Sequence, residues 1–261
     1  MKGCVSTYMD RFGGVGRLVS EAGLDRLARA HVCIIGIGGV GSWSAEALAR
    51  SGVGRLTLVD LDDVCITNTN RQVHALEGAV GRPKVEAMAE RVHAVNPECQ
   101  VEALADFFTE KSADAILGRN FDFVVDAIDT VKHKCHLIIR CREGGVPMIT
   151  VGGAGGKIDP TQVRVADLTL STHDSLLRRV RKKLRQDHDF SREGLWDLPC
   201  VFSTELPRFP AADGGVCDRP SPDMSLRLDC ASGYGTASFV TGTFGFAAAA
   251  AVVQHVAATQ S

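Results

Sequence analysis

The chain has 261 residues, 45% of them apolar and 23% charged, which is ordinary for a soluble globular protein and enough for one large α/β domain, with or without a small appendage. Its net charge of −2 excludes recognition of nucleic acid by a global positive field, so any such contact has to come from a local patch. The nine cysteines are scattered, several inside apolar runs as Cys33 and Cys65 are; with no signal peptide visible, a reduced, cytoplasmic chain is expected.

At the N-terminus, Asp10-Arg11-Phe12-Gly13-Gly14 precedes an amphipathic stretch at 18–30, and a helical segment is expected over residues 1–31. Val32-Cys33-Ile34-Ile35 is a short apolar run of the kind that forms a strand buried on both faces. It enters Gly36-Ile37-Gly38-Gly39-Val40-Gly41, then a helical pattern through Trp43, Ala47 and Leu48 that Gly52 stops. Residues 56–59 read as the next strand, ending on Asp60. Strand, glycine turn, helix, strand and acidic residue make a nucleotide-binding βαβ unit. The glycines permit a tight turn and close approach of phosphate, and the helix N-terminus faces negative charge. Asp60 can accept both ribose hydroxyls. Taken alone, Gly36, Gly38 and Gly41 equally satisfy the G-x-G-x-x-G pattern of NAD enzymes.

The residues that follow, Asp60-Leu61-Asp62-Asp63-Val64 and Thr67-Asn68-Thr69-Asn70-Arg71-Gln72, resemble the adenylation domain of the E1-like superfamily. That group includes ubiquitin-activating enzymes and the molybdopterin and thiamine sulfur-carrier adenylyltransferases. An NAD site has no use for amides and an arginine after its ribose carboxylate, whereas attack on ATP at the α-phosphate requires a bidentate phosphate ligand such as Arg71. The resemblance implies an ATP site built from Gly36, Gly38, Gly39, Gly41, Asp60, Asp62, Asn68, Arg71 and Lys84. It also implies that the N-terminal segment packs across a homodimer and that Arg11 reaches the partner's ATP. The sulfur-carrier enzymes usually hold a structural zinc with two C-x-x-C pairs; no two cysteines here have that spacing, so no zinc is expected.

Gly81-Arg82-Pro83-Lys84 opens a helix with an apolar stripe at Val85, Met88, Ala89 and Val92, and Asn96-Pro97 ends it. Lys84 falls in the first turn, beside the positive end of the helix dipole, where a compensating anion is needed; the resemblance makes that anion ATP phosphate. A strand is expected at 100–104, a short helix at 109–117 and a buried strand at 121–125 closed by Asp126-Ala127-Ile128-Asp129-Thr130. Loops after parallel strands face the ligand crevice. Asp129 stands where the superfamily places its Mg²⁺-binding aspartate, while Asp126 suits a cap or a supporting partner. A helix at 131–143, a strand at 148–151 and the cluster Gly152-Gly153-Ala154-Gly155-Gly156 follow, the cluster suiting close backbone approach to a ligand. A hairpin is expected from 158–161 and 163–165.

Residues 176–184 form a helical pattern in which Arg178, Arg179, Arg181, Lys182, Lys183 and Arg185 place six cations in eight residues, with Val180 and Leu184 as the inward stripe. A solvated face explains most such runs, but in a chain of net charge −2 this one is a candidate grip on a phosphate backbone. Between 186 and 229 the pattern dissolves among Pro207, Pro210, Gly214, Gly215, Pro220 and Pro222, and a mobile loop is expected. The last stretch, 236–258, is nearly uncharged and long enough to suggest a membrane span. Its small and polar first half (Thr236, Ser238, Thr241, Gly242, Thr243, Gly245) and the lack of a flanking basic cluster favour a core or dimer-interface helix instead.

Three stretches narrow the resemblance: 64–72; 152–156 through Asp159-Pro160-Thr161-Gln162; and Cys200-Val201-Phe202-Ser203-Thr204-Glu205 with Asp229-Cys230-Ala231-Ser232-Gly233. Together they are similar to the tRNA threonylcarbamoyladenosine dehydratase family over nearly the whole chain. The expected fold is α/β, a Rossmann-like, doubly wound, largely parallel sheet, with an N-terminal helical segment (1–31), a nucleotide-binding core (32–156) and a substrate-facing extension with antiparallel and loop character (157–261). The resemblance implies that a threonylcarbamoyl carboxylate on a tRNA adenosine next to the anticodon attacks ATP. The resulting acyl-adenylate is then closed into a ring by the group's own carbamoyl. It also implies a possible reactive thiol at Cys200 or Cys230, which cyclisation does not require, and an association with a cysteine desulfurase and its sulfur acceptor. The alternatives left open are an adenylyltransferase for a sulfur-carrier C-terminus, and a nucleotide-binding module or NAD-dependent oxidoreductase.

Overall fold

The computed structural model describes residues 7–211, 213–219 and 235–258. The elements run α1 (Tyr8–Val19), α2 (Glu21–Arg29), β1 (His31–Ile35), α3 (Gly41–Arg50), β2 (Arg55–Val59), α4 (Lys84–Val95), β3 (Gln100–Leu104), α5 (Ala113–Leu117), β4 (Phe123–Asp126), α6 (Val131–Glu143) and β5 (Met148–Val151). They continue with β6 (Val163–Asp167), α7 (Ser175–Asp187), β7 (Pro199–Ser203), β8 (Phe209–Pro210), β9 (Val216–Cys217) and α8 (Ser238–Ala257).

Seven strands form one sheet in the order β3-β2-β1-β4-β5-β7-β6, parallel except at the β6 edge. All five residues of β1 are buried, as a strand covered on both faces requires. One apolar layer gathers α2, α3, α4 and α8 on one face, and a second gathers α5, α6 and α7 on the other. The chain leaves β1 toward β2 on one side and later returns to β4 on the other. The strand order therefore reverses between β1 and β4, and a crevice opens beyond their carboxyl ends. This is the doubly wound, Rossmann-like α/β architecture expected.

Four local expectations are corrected. The amphipathic stretch at 18–30 is not one helix, because Ser20 takes φ +72 and its hydroxyl caps Gly23 N at 3.1 Å, splitting α1 from α2. The hairpin expected from 158–161 and 163–165 is instead a 3₁₀ turn, Pro160–Gln162, leading into β6, whose antiparallel partner is β7. The expected helix at 109–117 is only its second half, α5, preceded by a Thr109–Ser112 turn. Part of the stretch expected to be mobile is core. In β7, Cys200 and Val201 are fully buried, and Asp167 holds the approach to that strand by accepting the N–H groups of Trp196 (3.1 Å) and Leu198 (3.0 Å).

Helix α8 explains the apolar C-terminal stretch. It is the one helix among the described residues long and apolar enough to cross a membrane, yet it packs on α3 and the sheet. Its glycines permit that contact: a Cβ at Gly245 would meet Trp43 Cβ and Val40 O at 2.7 Å. Val240, Phe244, Ala248 and Val252 are buried in the core, so part of this helix does the work of a core element.

Candidate active site

A cavity of about 770 Å³ lies at the β1/β4 crevice. Its floor is the glycine turn. Gly36 takes φ +92, and a Cβ there would meet Ala127 O at 2.8 Å; Gly38 has open space around it and faces the cavity. Gly39 borders the cavity against Thr241 of α8. Gly41, expected among the nucleotide contacts, lies beneath them: its Cβ would fall 1.8 Å from Gly36 O, so glycine there lets α3 begin directly under the turn. Asp60 braces the same turn, one oxygen accepting Ile37 N at 2.6 Å and the other Asp62 N at 2.9 Å. Burial raises its pKa, and the nearby Lys84 ammonium opposes the rise.

Lys84 is buried in the first turn of α4, and a protein carboxylate stands beside its ammonium. Its ammonium lies 2.7 Å from Asp62 Oδ2, and its backbone N–H donates to Asp62 O at 3.0 Å. Asp62 thus holds the lysine at the cavity wall. Asn68 is buried, with Oδ1 accepting Cys65 N at 3.0 Å, and closes the 65–68 turn. Arg71 lies on the wall with its guanidinium folded onto Thr67 O (2.8 Å) and Asn70 Oδ1 (3.0 Å). The Arg71 carbonyl accepts from Trp43 Nε1 (3.0 Å) and Thr241 Oγ1 (3.1 Å), while Asn70 Nδ2 donates to Thr236 O at 2.8 Å. The loop carrying the arginine is therefore pinned to α3 and α8, contacts the sequence reading did not anticipate.

Asp129 is exposed on the opposite wall, its carboxylate accepting Thr130 Oγ1 at 3.3 Å. The loop that presents it rests on a fully buried cluster below. Asp126 Oδ1 accepts Ile128 N at 3.1 Å, its Oδ2 lies 2.8 Å from Lys134 Nζ, and Thr150 Oγ1 donates to that Oδ2 at 2.7 Å. Asp126 is a support for the loop, as one expectation had it, but its partner Lys134 was overlooked. Also unanticipated on the cavity wall are Asp106, Phe107 and Phe108 after β3, and His133 of α6.

Toward β5 the wall is Gly152 to Gly155, with Leu176 at the start of α7 beside it. A Cβ at Gly152 would lie 2.1 Å from Asp174 Oδ2, so glycine there admits the aspartate that caps α7 through Leu177 N (2.8 Å). The basic helix is thereby tied to the cavity. Only part of its charge is free. Arg181 donates to Leu168 O (3.2 Å) and Ser171 Oγ, Lys183 pairs with Asp187 at 2.5 Å, and the Arg185 guanidinium sits 5.2 Å over the Trp196 ring. Arg178, Arg179 and Lys182 are exposed and make no side-chain ion pair among the described residues.

Two candidates lie away from this cavity. Arg11 is exposed on α1, donating to Val95 O at 3.4 Å, and does not line its own chain's cavity. Cys200 is buried in β7, where burial pushes its thiol up to about 12, the opposite of a thiolate poised to react. Cys230 lies outside the described residues.

The ThiF family model matches residues 15–260. The chain belongs to the ThiF family. This ThiF-family chain is 48% identical over 244 residues to the tRNA threonylcarbamoyladenosine dehydratase of Escherichia coli (strain K12), covering 92% of this chain and 91% of that protein. It is similar in structure to E. coli tRNA N6-threonylcarbamoyladenosine dehydratase, TcdA, in complex with ATP (TM-score 0.85, 43% identity, 97% of each chain). The same protein in complex with AMP gives the same TM-score of 0.85 and coverage of 97% of each chain.

Proposed function

We propose that this protein is an ATP-dependent tRNA threonylcarbamoyladenosine dehydratase. The observation that carries the reading is one cavity, at the switch point of a ThiF-family sheet, joining a glycine turn, Asp60, Arg71, Lys84 and Asp129. In this reading the nucleotide lies along the glycine turn with its ribose on Asp60, and Arg71 and Lys84 meet the phosphates. The substrate carboxylate attacks the α-phosphorus from the Gly152–Gly155 side, giving an acyl-adenylate and pyrophosphate. The carbamoyl group then attacks the activated carbonyl and AMP leaves, so the net change is loss of water. Ring closure is intramolecular, and orientation alone supplies much of its rate.

Mg²⁺ fits the residues present. It needs only one or two carboxylates besides phosphate and water, and Asp129 reaches the cavity with the Thr130 hydroxyl as its one partner among the described residues. Asp129 would hold the ion, which when bound offsets charge on the phosphates. In this reading the protein is a homodimer, and Arg11, which lies outside its own chain's cavity, reaches the ATP of a second copy as the family resemblance implies. Association with a cysteine desulfurase and its sulfur acceptor belongs to the same reading.

Arg178, Arg179 and Lys182 would hold the tRNA backbone, and α7 would lead the modified adenosine to the cavity past Leu176. The test is nucleoside analysis of threonylcarbamoyl-bearing tRNA after incubation with the protein, ATP and Mg²⁺. The expected result is conversion to a nucleoside lighter by one water, with AMP released. Unchanged nucleoside, with adenylation of a Gly-Gly carrier tail instead, would overturn it in favour of sulfur-carrier activation.

A further inference from the structure

Beyond β5 the chain crosses the cavity wall as Gly152-Gly153-Ala154-Gly155-Gly156, and most of its backbone donors have acceptors. Gly152 N donates to Val201 O (2.8 Å), Gly153 N to Asp174 Oδ2 (2.8 Å) and Gly156 N to Gly235 O (2.8 Å). The N–H groups of Ala154 and Gly155 have no acceptor among the described residues, although Ala154 is only 7% exposed and both residues line the cavity. Two neighbouring backbone N–H groups on a cavity wall with no protein acceptor are available to an acceptor on the ligand.

The segment is also held firmly enough to aim them. Asp174 grips Gly153 from below, Arg208 N donates to Gly156 O at 2.8 Å, and the buried Lys157 ammonium donates to His173 O (3.2 Å) and Glu205 O just beyond the turn. The nucleotide phosphates have the glycine turn, Arg71 and Lys84 on the other side of the crevice. The acceptor at this side is then the oxygen of the group being activated.

We propose that the Ala154 and Gly155 N–H groups form an oxyanion hole for the acyl carbonyl of the threonylcarbamoyl substrate. The inference rests on the dehydratase reading and deepens it. When the carbamoyl group attacks the acyl-adenylate, a bond forms to the carbonyl carbon and its π electrons move onto the oxygen, which the two donors stabilise. The carbamoyl N–H proton passes to solvent, the oxyanion's electron pair returns to re-form the carbonyl, and the carbon–oxygen bond to AMP breaks, its own bonding electrons leaving with AMP. Donors fixed in advance meet the bound oxygen weakly and the developing charge strongly, so their loss falls mainly on kcat and little on KM.

Ala154→Pro and Gly155→Pro each delete one donor. With threonylcarbamoyl tRNA, each is expected to lower kcat by about 10²–10³-fold, with KM for ATP and binding of tRNA unchanged. A folded variant with wild-type kcat overturns the oxyanion hole. Because proline can disturb the turn, the unmodified protein supplies a second measurement by amide NMR with ¹⁵N-alanine and ¹⁵N-glycine labelling. Addition of a non-hydrolysable ATP analogue with a threonylcarbamoyl anticodon stem-loop should move the Ala154 and Gly155 amides downfield, and the analogue alone should not. Amides that stay in place with the stem-loop bound overturn the proposal. A wild-type protein that does not dehydrate the tRNA at all refutes the dehydratase reading, a result distinguishable from full dehydration by the proline variants.

Discussion

Replacing Lys134 by methionine tests whether the loop carrying Asp129 depends on the buried ion pair beneath it. Lys134 and Asp126 have side chains fully out of solvent with 2.8 Å between charges, and Lys134 also donates to Thr150 Oγ1 at 3.1 Å. Methionine matches the stem's volume, so packing is nearly conserved and what is lost is the charge. Removing one member of a buried pair strands the other, at about 3–5 kcal/mol. For a chain of this size that lowers Tm by about 2–4 °C for each kcal/mol. The double variant Lys134→Met/Asp126→Asn removes both charges and keeps an oxygen for Ile128 N, so it should regain about 2 kcal/mol or more over the single variant. Urea unfolding of the wild type, both singles and the double gives the coupling directly. A single variant costing under about 1 kcal/mol, or costs that simply add, would refute a stabilising pair.

Arg71→Ala and Asp129→Asn should each lower tRNA dehydration by about two or more powers of ten at saturating ATP while urea midpoints hold, and near-normal turnover would mean these residues are misassigned. Arg178→Gln/Arg179→Gln/Lys182→Gln should weaken tRNA binding and reduce its salt dependence with ATP affinity unchanged; an unaltered salt slope would leave the run a solvated face. His74 is buried with no partner for either ring nitrogen among the described residues, and burial first, then Lys84 and Arg91, lowers its pKa to about 4. The unfolded chain therefore binds a proton below about 6.5 that the folded chain refuses until about 4. About 3 kcal/mol of stability should be lost as pH falls through that window. His74→Leu should flatten that loss in urea unfolding at pH 7 and pH 4.5, and an identical pH slope would show that other groups set it.

What was legible in the sequence was what repeats or what is chemically scarce. The buried run of β1, the glycine turn, the bounds of β3, α6 and β5, and the inward stripe of α7 all follow from periodicity or unbroken apolar runs. Lys134 was hidden because it sits in Val131-Lys132-His133-Lys134, where nothing local distinguishes a buried ammonium from a surface one; only the partner strands β4 and β5 do. Strand β7 was hidden because its five residues are hemmed by charges, Pro207 and Pro210, and its place between β5 and β6 is a long-range fact. The break at Ser20 was hidden because a serine in the left-handed region is a tertiary choice, made so that α1 and α2 can pack on each other. Six cations in the α7 stretch implied six free charges, yet three are used internally, since long side chains bend to whatever carbonyl, carboxylate or ring lies near.

The site itself carries an electrostatic requirement that single motifs do not reveal. Among the described residues, Asp60, Asp62, Asp106 and Asp129 face the cavity against Arg71 and Lys84 as cations, and Lys84 is already paired with Asp62. A triphosphate brings several more negative charges into this partly enclosed space, where opposite charges at contact distance interact by several kcal/mol and like charges repel as strongly. These two cations alone fall short of the combined charge of the described wall and the nucleotide. The free N–H groups of the glycine turn and the start of α3 offset part of the difference. The remainder has to be brought in with or beside the nucleotide. That is the physical reason to expect a divalent cation on Asp129 with the nucleotide and an arginine from a second copy beside it: the two proposals meet one electrostatic requirement.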